Sequence, residues 1–280
     1  MKDTLSLRNR KSGECRSLAG VLTALCFLMA CSARADVRSI SRTLSARASA
    51  LAENRLEIGV RASYFHLLEK TRREYDDQGR FTGGFLGSID TLSEKQDPRP
   101  MPFARVLFND WSGMQIGYAS LGAKTSTFWD GHSDGTIELR GPAFELFARA
   151  RLAHGFSPYA FFGIAPLRAN FKHDDLWHNG FSPGNREAYD AWVAAGKPKW
   201  PNGGYRRTIA LKDTIGWTLA AGCAYALPRR WSAQLDYRYM AADVKANYSL
   251  SWHGRNRQNR GNYTFPMSHH GVSLGVGYAF

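Results

Sequence analysis

The sequence contains very little cysteine, and most of it lies close to the N-terminus. Cys15, Cys26 and Cys31 fall within the first 35 residues, which leaves Cys223 alone in the rest of the chain. An exported chain with one cysteine has no internal disulfide, so the class of small disulfide-rich secreted domains is excluded. The fold must therefore be held together by backbone pairing and by packing.

Long apolar runs are also missing beyond residue 35. No later segment approaches the roughly 18 consecutive apolar residues that indicate a transmembrane helix, and this excludes helical membrane spans. Aromatic residues nevertheless make up 13% of the chain, which suits the interfacial girdles of a membrane β-barrel. No Pro/Ser-rich linker interrupts the sequence, so we expect one folded domain.

The first 35 residues have the order of a secretory signal. Basic residues from Lys2 to Arg16 precede the apolar run LAGVLTALCFLMA (18–30) and the small-residue stretch CSARA. We predict a signal peptide over 1–35, cleavage after Ala35, and a lead at 36–53 that forms a short periplasmic helix or no regular structure. An uncleaved anchor and a lipoprotein processed at Cys31 are the alternatives.

Strict alternation of side chains marks the remaining chain. In GVSLGVGYAF (271–280), large apolar residues occupy every second position, while the intervening positions hold glycine, serine and alanine. The segments TIGWTLAAGCAYAL (214–227) and WSAQLDYRYMA (231–241) alternate in the same way. A soluble antiparallel sheet would have a polar outer face. An apolar face opposite small and charged residues instead indicates a barrel wall with lipid outside, and a soluble eight-stranded barrel is the alternative.

Eight such segments can be counted in the domain that we assign to residues 54–280. Short links fall near 109–112, 153–157 and 228–230, and long links fall near 68–100, 128–136, 172–211 and 253–266. Short periplasmic turns that alternate with long extracellular loops are typical of outer-membrane barrels. Beyond Ala242 the apolar parity switches, which predicts a bulge or an extended hairpin arm.

These features together resemble the small eight-stranded outer-membrane barrels of Gram-negative bacteria, of the outer-membrane protein A transmembrane-domain and porin-like type. The resemblance rests on the signal, the strands, the stretch GCAYALPRRWSAQLDYRYM and the final GVGYAF. It implies an all-β, antiparallel, up-and-down transmembrane barrel in the outer membrane. It also implies that Tyr278 and Phe280 are read by the barrel assembly machinery. No peptidoglycan-binding domain follows, so a wall-tethering role is not implied.

Strand parity places many charged residues inside the predicted barrel. They are Glu57, Arg61, Arg105, Glu145, Arg149, Arg151, Asp236 and Arg238. Because an eight-stranded barrel has room only for side chains, and because buried charges are costly unless paired, we predict an ion-pair network that plugs the lumen. A narrow conduit with a weak anion preference is the alternative, since five of these eight residues are arginine.

No assembled catalytic set is visible, so we expect neither an enzyme nor a cofactor or metal. The run 132–134 (His-Ser-Asp) has the residue types of a hydrolase triad, but sequence neighbours do not converge as a triad requires. His173, Asp174, Asp175 and His178 have metal-ligand chemistry, but a solvated loop is the account that we favour. A lipid A-modifying or proteolytic barrel stays open as a lesser alternative.

The expected partners are outer-membrane lipid and lipopolysaccharide. Arg255, Arg257 and Arg260 form a run without acidic residues and are candidates for lipopolysaccharide phosphates, because arginine pairs with phosphate in a bidentate manner. The chain is basic, with a formal net charge of +13, but export removes it from nucleic acid. We expect a monomer that meets the barrel assembly machinery during insertion.

Overall fold

The structure is a computed structural model that describes residues 56–280 except 87–88, 97–99, 128–132, 182, 198–204 and 253–254. Within strands and turns, the side chains at 81, 153, 183, 205, 252 and 255–262 are also outside this description. The predicted signal peptide, its cleavage after Ala35, the lipoprotein alternative at Cys31 and the lead at 36–53 therefore all lie outside the described residues.

Within the described residues the chain forms fourteen strands and two α-helices. The strands are β1 (Leu56–Leu67), β2 (Glu74–Tyr75), β3 (Phe81–Gly83), β4 (Ile89–Glu94), β5 (Met101–Leu107), β6 (Ser112–Thr127), β7 (Ser133–Arg149), β8 (Phe156–His173), β9 (Tyr205–Leu211), β10 (Thr214–Ala226), β11 (Trp231–Ala241), β12 (Asp243–Trp252), β13 (Arg255–Pro266) and β14 (His269–Ala279). The helices are α1 (Asp175–His178) and α2 (Arg186–Ala194).

Eight of these strands close into an antiparallel up-and-down barrel, which confirms the fold predicted from the sequence. The ring runs β1, β5, β6, β7, β8, β10, β11 and β14, and β14 pairs back with β1. In the closing pair Ala279 lies opposite Glu57, and His269 lies opposite Leu67. Closure gives each of the eight strands two neighbours, as required at barrel depth, where lipid offers no hydrogen-bonding partner.

The outer face of the barrel is an apolar band bounded by aromatic residues. Exposed aromatics near the short turns are Phe108, Trp111, Phe156, Tyr225, Trp231 and Phe280, and those near the opposite end are Tyr64, Tyr118, Trp217 and Tyr237. On β8 the outward residues are apolar from Phe156 to Pro166, a span of about 33 Å along the strand. At the usual tilt of roughly 40° this gives a height of about 25 Å, the apolar thickness of an outer-membrane barrel.

The long connections predicted from the sequence contain strands and helices of their own. The link at 68–100 contains β2, β3 and β4, the link at 172–211 contains both helices and β9, and the link at 253–266 contains β13. Strands β6 and β7 also extend well above the membrane band. These segments fold because they bury apolar side chains. The sequence pattern gives only a weak indication of this burial.

A substantial apolar core fills the extracellular end. Leu67, Ile89, Ile137, Val244 and Phe265 are all essentially inaccessible to solvent in one cluster that joins the upper barrel strands to β4, β12 and β13. The strands β9, β12 and β13 form a separate three-stranded sheet. The parity switch predicted beyond Ala242 corresponds to the break between β11 and β12. No helix among the described residues is long and apolar enough to cross a membrane.

Candidate functional site

The middle of the lumen is filled by polar side chains from six strands. Alternation along each strand directs them inward, and we name the set the lumen cluster. It comprises Glu57 and Arg61 of β1, Arg105 of β5, Gln115 of β6, Glu145 of β7, Thr218 of β10, and Gln234, Asp236 and Arg238 of β11.

Arg105 is the centre of the lower half of the lumen cluster. Its Nη1 donates to Glu57 Oε2 at 2.8 Å, and its Nη2 donates to Gln115 Oε1 at 2.9 Å and to Gln234 Oε1 at 3.2 Å. The other oxygen of Glu57 accepts from Ser232 Oγ at 2.8 Å and from Gln234 Nε2 at 2.6 Å. The guanidinium is only 3% exposed and is linked to three different strands.

Glu145 is the centre of the upper half. It pairs with Arg238, and its Oε2 lies 3.8 Å from Arg61 Nη2. Gln115 Nε2 donates to Oε2 at 2.7 Å, and Thr218 Oγ1 donates to Oε1 at 3.2 Å. Glu145 is 1% exposed. One carboxylate therefore holds together side chains from four other barrel strands.

Aromatic rings fill the lumen around Arg105. The Arg105 guanidinium carbon lies 4.8 Å from the ring centroid of Phe147, and Phe161, Phe103 and Tyr159 all lie within 6 Å of it. Such contacts stabilise a desolvated cation by about 2 kcal/mol. These rings were not predicted to lie in the lumen, although Phe103 and Phe147 share the parity of the predicted inward charges.

A glycine makes room for one of these rings. Gly59 lies opposite Phe103 in the β1–β5 pair, and a Cβ at Gly59 would sit 2.5 Å from Phe103 Cζ. Once two strands are aligned in register, a glycine opposite an aromatic residue on the lumen face indicates this packing.

Two residues predicted for the lumen network lie at its periplasmic end. Arg149 is the last residue of β7 and donates from Nε to the backbone oxygen of Asp110 at 3.1 Å. Arg151 lies beyond the strand end, and its Nη2 is 3.8 Å from Asp110 Oδ1, with both side chains more than half exposed. Four residues of strand separate Arg149 from Glu145, about 13 Å, but both arginines line one cavity with Glu57 and Arg105 of the lower lumen cluster. They line the periplasmic mouth.

A cavity of about 60 Å³ lies between the lumen cluster and the extracellular apolar core. Arg61 and Arg238 line its lower side, and Leu139, Met240 and His269 are among its upper lining. This volume accommodates roughly four waters. His269 points inward and His270 points outward, as alternation predicts, and His270 stacks on His66.

The barrel wall is interrupted beside this cavity. Strand β5 pairs with β1 only up to Arg61, and among the described residues no strand pairs with the upper half of β1 on that side. Two side chains take its place: the Phe65 amide donates to Gln96 Oε1 at 3.2 Å, and the Leu67 amide donates to Glu94 Oε1 at 3.0 Å. The exposed residues Tyr64 and Tyr118 also line the cavity, which places it next to the lipid-facing surface.

The metal-ligand residue types at 173–178 have structural roles. His173 Nε2 accepts the Ile209 amide at 2.8 Å, and burial, together with the charge of His178, lowers the pKa of His173. Asp174 caps helix α1, and Asp175 accepts from Tyr189 Oη at 3.2 Å. No group of three potential metal ligands occurs among the described residues.

The triad-like run at 132–134 is only partly described. Position 132 lies outside the described residues, Ser133 Oγ donates to the Gly135 carbonyl at 3.3 Å, and Asp134 Oδ1 accepts from Thr127 Oγ1 at 2.8 Å. Ser133 and Asp134 are thus engaged in local contacts at the β6–β7 hairpin.

The predicted lipopolysaccharide arginines lie in β13. Arg255 pairs in register with Trp252, and Arg257 pairs with Leu250. These positions lie about 20–30 Å along the strand from the first residue of β12. Arg260 also lies in β13, and all three side chains are outside the described part. The assembly-signal residues lie at the opposite end, where Tyr278 is in β14 and the Phe280 amide donates to the Leu56 carbonyl at 2.9 Å.

Comparison with known proteins agrees with this geometry. The family model described as "Outer membrane protein beta-barrel domain" matches residues 23–280. The chain belongs to this family. It is an outer-membrane β-barrel protein.

Among solved structures, outer membrane protein OprG from Pseudomonas aeruginosa is similar, with 14% identity, a TM-score of 0.54, and coverage of 81% of this chain and 97% of that one. Outer Membrane Protein W from E. coli has 18% identity, a TM-score of 0.42, and coverage of 81% and 98%. No curated protein matches the chain.

Proposed function

We propose that this protein is a structural and surface-interaction barrel of the outer membrane, with a lumen closed by side chains and extracellular segments that contact lipopolysaccharide. The observation that carries the closed lumen is the pairing of Arg105 with Glu57 and of Arg238 with Glu145 across the barrel. Buried charges paired in this way, with amide and hydroxyl partners, form a hydrogen-bonded network across the lumen. We propose no catalytic role.

The pairing of the lumen charges supports the closed lumen better than the alternative of an anion-selective conduit. That hypothesis rested on an excess of arginine in the lumen, but Arg149 and Arg151 lie at the periplasmic mouth. The lumen cluster then holds three arginines, Arg61, Arg105 and Arg238, against three carboxylates, Glu57, Glu145 and Asp236. The middle of the lumen is therefore charge-balanced, and the two further arginines lie at its periplasmic end.

Electrical recording tests the closed lumen. The purified protein, inserted in planar bilayers in concentrated potassium chloride, is expected to give no discrete conductance steps, with a large-pore porin as the positive control. Stable ohmic steps from wild-type protein would contradict the proposal, and a reversal potential that favours chloride would restore the anion conduit.

A second candidate function is lateral exchange of small apolar molecules between the cavity and the membrane. The observation that favours it is the interrupted wall between β1 and β6, where, within the described part of the chain, the side chains of Gln96 and Glu94 bond to the β1 backbone in place of a strand. Side-chain bonds of this kind contribute only about 1 kcal/mol each. They open more readily than a strand ladder.

Uptake of an apolar fluorescent probe by cells tests this route. Ala119→Phe places a ring in the cavity, which Ala119 lines, and is expected to lower uptake to the level of cells without the protein. Ala160→Phe is the matched control, because Ala160 faces lipid beside Ala148 and Ala221. Equal uptake with wild type, either variant or no protein would exclude lateral exchange.

A further inference from the structure

A groove forms on the outer surface where the barrel wall divides. Strand β8 pairs with β10 only as far as Leu167 opposite Thr214, and above this point β8 continues to His173 with β7. Strand β9 meets β10 at Lys212–Asp213, and β12 starts nearby at Asp243. The groove lies between these two walls.

The groove has four basic side chains on its two walls. Arg140 and Arg168 come from β7 and β8, and Lys212 and Lys245 come from the facing wall. Acidic residues also line it, namely Glu138, Asp213 and Asp243. The Asp213 carboxylate is engaged within the chain, since its Oδ1 accepts a hydrogen bond from the Ala169 amide at 3.0 Å.

Glu138 is more than neutralised by its neighbours. Its carboxylate lies 2.9 Å from Lys172 Nζ, 3.2 Å from Arg140 Nη2 and 3.6 Å from Lys95 Nζ. Partial burial acts to raise the pKa of Glu138, but the bond from Lys172 and the charges of Arg140 and Lys95 outweigh it and lower the pKa. The local charge therefore remains positive.

Arg140 and Arg168 are direct cross-strand partners. Like charges directly opposite in an antiparallel pair are destabilising, and among the described residues Arg168 has no ion-pair partner. Arg140 is paired with Glu138 at 3.2 Å, so Arg168, its neighbour in register, is the cation in this pair that is open to an anion from outside the chain.

The height of this pair on the barrel identifies the source of the anion. Arg168 is the next outward residue above Pro166 on β8, and Arg140 is the next above Pro142 on β7. Below them the same faces carry Ile164 and other apolar side chains. The arginines thus lie where the apolar band ends on the extracellular side, at the level of the lipid headgroups.

We propose that this groove binds the phosphate-bearing headgroup of lipopolysaccharide, with Arg140 and Arg168 on one phosphate and Lys212 and Lys245 beside it. The acyl chains of the same lipid would lie along the apolar band below. Arginine suits this task because its guanidinium group bonds phosphate in a bidentate manner. This inference rests on the proposed surface-interaction function and moves the main lipopolysaccharide contact from the β13 arginines to the barrel rim.

Binding of diphosphorylated lipid A to the purified full chain in detergent micelles tests the site. The double variant Arg140→Gln/Arg168→Gln is expected to bind about 30-fold more weakly, on the basis of about 1 kcal/mol per basic residue near an anionic surface. The matched control Arg255→Gln/Arg257→Gln removes two arginines from β13 and is expected to change affinity less than twofold. Heat-modifiable electrophoretic mobility checks that both variants are folded.

Three results would overturn the inference: unchanged affinity in the folded Arg140→Gln/Arg168→Gln variant, equal wild-type affinity for dephosphorylated lipid A, or equal affinity for phosphatidylglycerol. If only the β13 variant loses affinity, the groove is not the binding site, while the proposed surface-interaction function stands. Conductance of the wild-type barrel is a separate measurement, so failure of the closed lumen is distinguishable from failure of the groove.

Discussion

Replacing Glu145 by alanine is expected to lower the free energy of unfolding by about 3–5 kcal/mol, because breaking a buried pair leaves an uncompensated charge. Glu145 is the carboxylate partner of both Arg61 and Arg238 in the upper lumen. It also accepts hydrogen bonds from Gln115 and Thr218. Denaturant unfolding in lipid vesicles, followed by tryptophan fluorescence, measures the loss.

Two controls separate lost pairing from other causes. Glu145→Gln keeps the shape and one acceptor, so it should retain more stability than alanine while still losing the charge. Asp190→Ala removes an exposed carboxylate from its pair with Arg186 on α2, where both side chains are more than half exposed, and should cost no more than about 1 kcal/mol.

Conductance decides between a plug and a water-filled conduit. If the lumen is closed, Glu145→Ala should lose stability with little change in planar-bilayer conductance, because the aromatic rings around Arg105 still obstruct the lower half. A variant of unchanged stability whose conductance or anion preference is altered would contradict the plug and favour a small channel.

The barrel itself was predictable from sequence for a clear physical reason. Lipid outside and a crowded lumen inside impose opposite demands on successive residues, so the period of two in 214–227, 231–241 and 271–280 stays visible. The inward positions of Glu57, Arg105 and the other predicted charges within strands follow from the same parity. Strand register and shear decide which of these side chains are in contact. The alternation of residues does not reveal the register or the shear.

The extracellular end was much less predictable. Segments such as 68–100 mix charged turns with isolated apolar residues, and Ile89 and Leu92 become buried only because the upper barrel strands supply the rest of the core. Burial at this end is created by contacts distant in sequence. Likewise, Arg151 shares the parity of Glu145, but parity does not reveal that β7 ends at Arg149.

Changes at Phe280 are expected to reduce assembly in the outer membrane more than a comparable change elsewhere in the same girdle. The Phe280 amide donates to Leu56 at 2.9 Å, and its ring packs edge-on against Tyr278 with centroids 5.0 Å apart. Phe280→Ala keeps the backbone bond and removes only the ring. Deleting Phe280 removes both, and the lost bond adds about 1 kcal/mol.

Phe156→Ala is the matched control, because Phe156 and Phe280 have the same exposed fraction, 48%. Deletions within 253–266 are unsuitable for this purpose, since β13 is paired with β12. If the aromatic side chain at 280 is read by the assembly machinery, Phe280→Ala should leave little heat-modifiable protein in cells yet refold in vitro as well as Phe156→Ala. Equal loss in cells for the two alanine variants would mean that Phe280 acts only as one more lipid-facing ring.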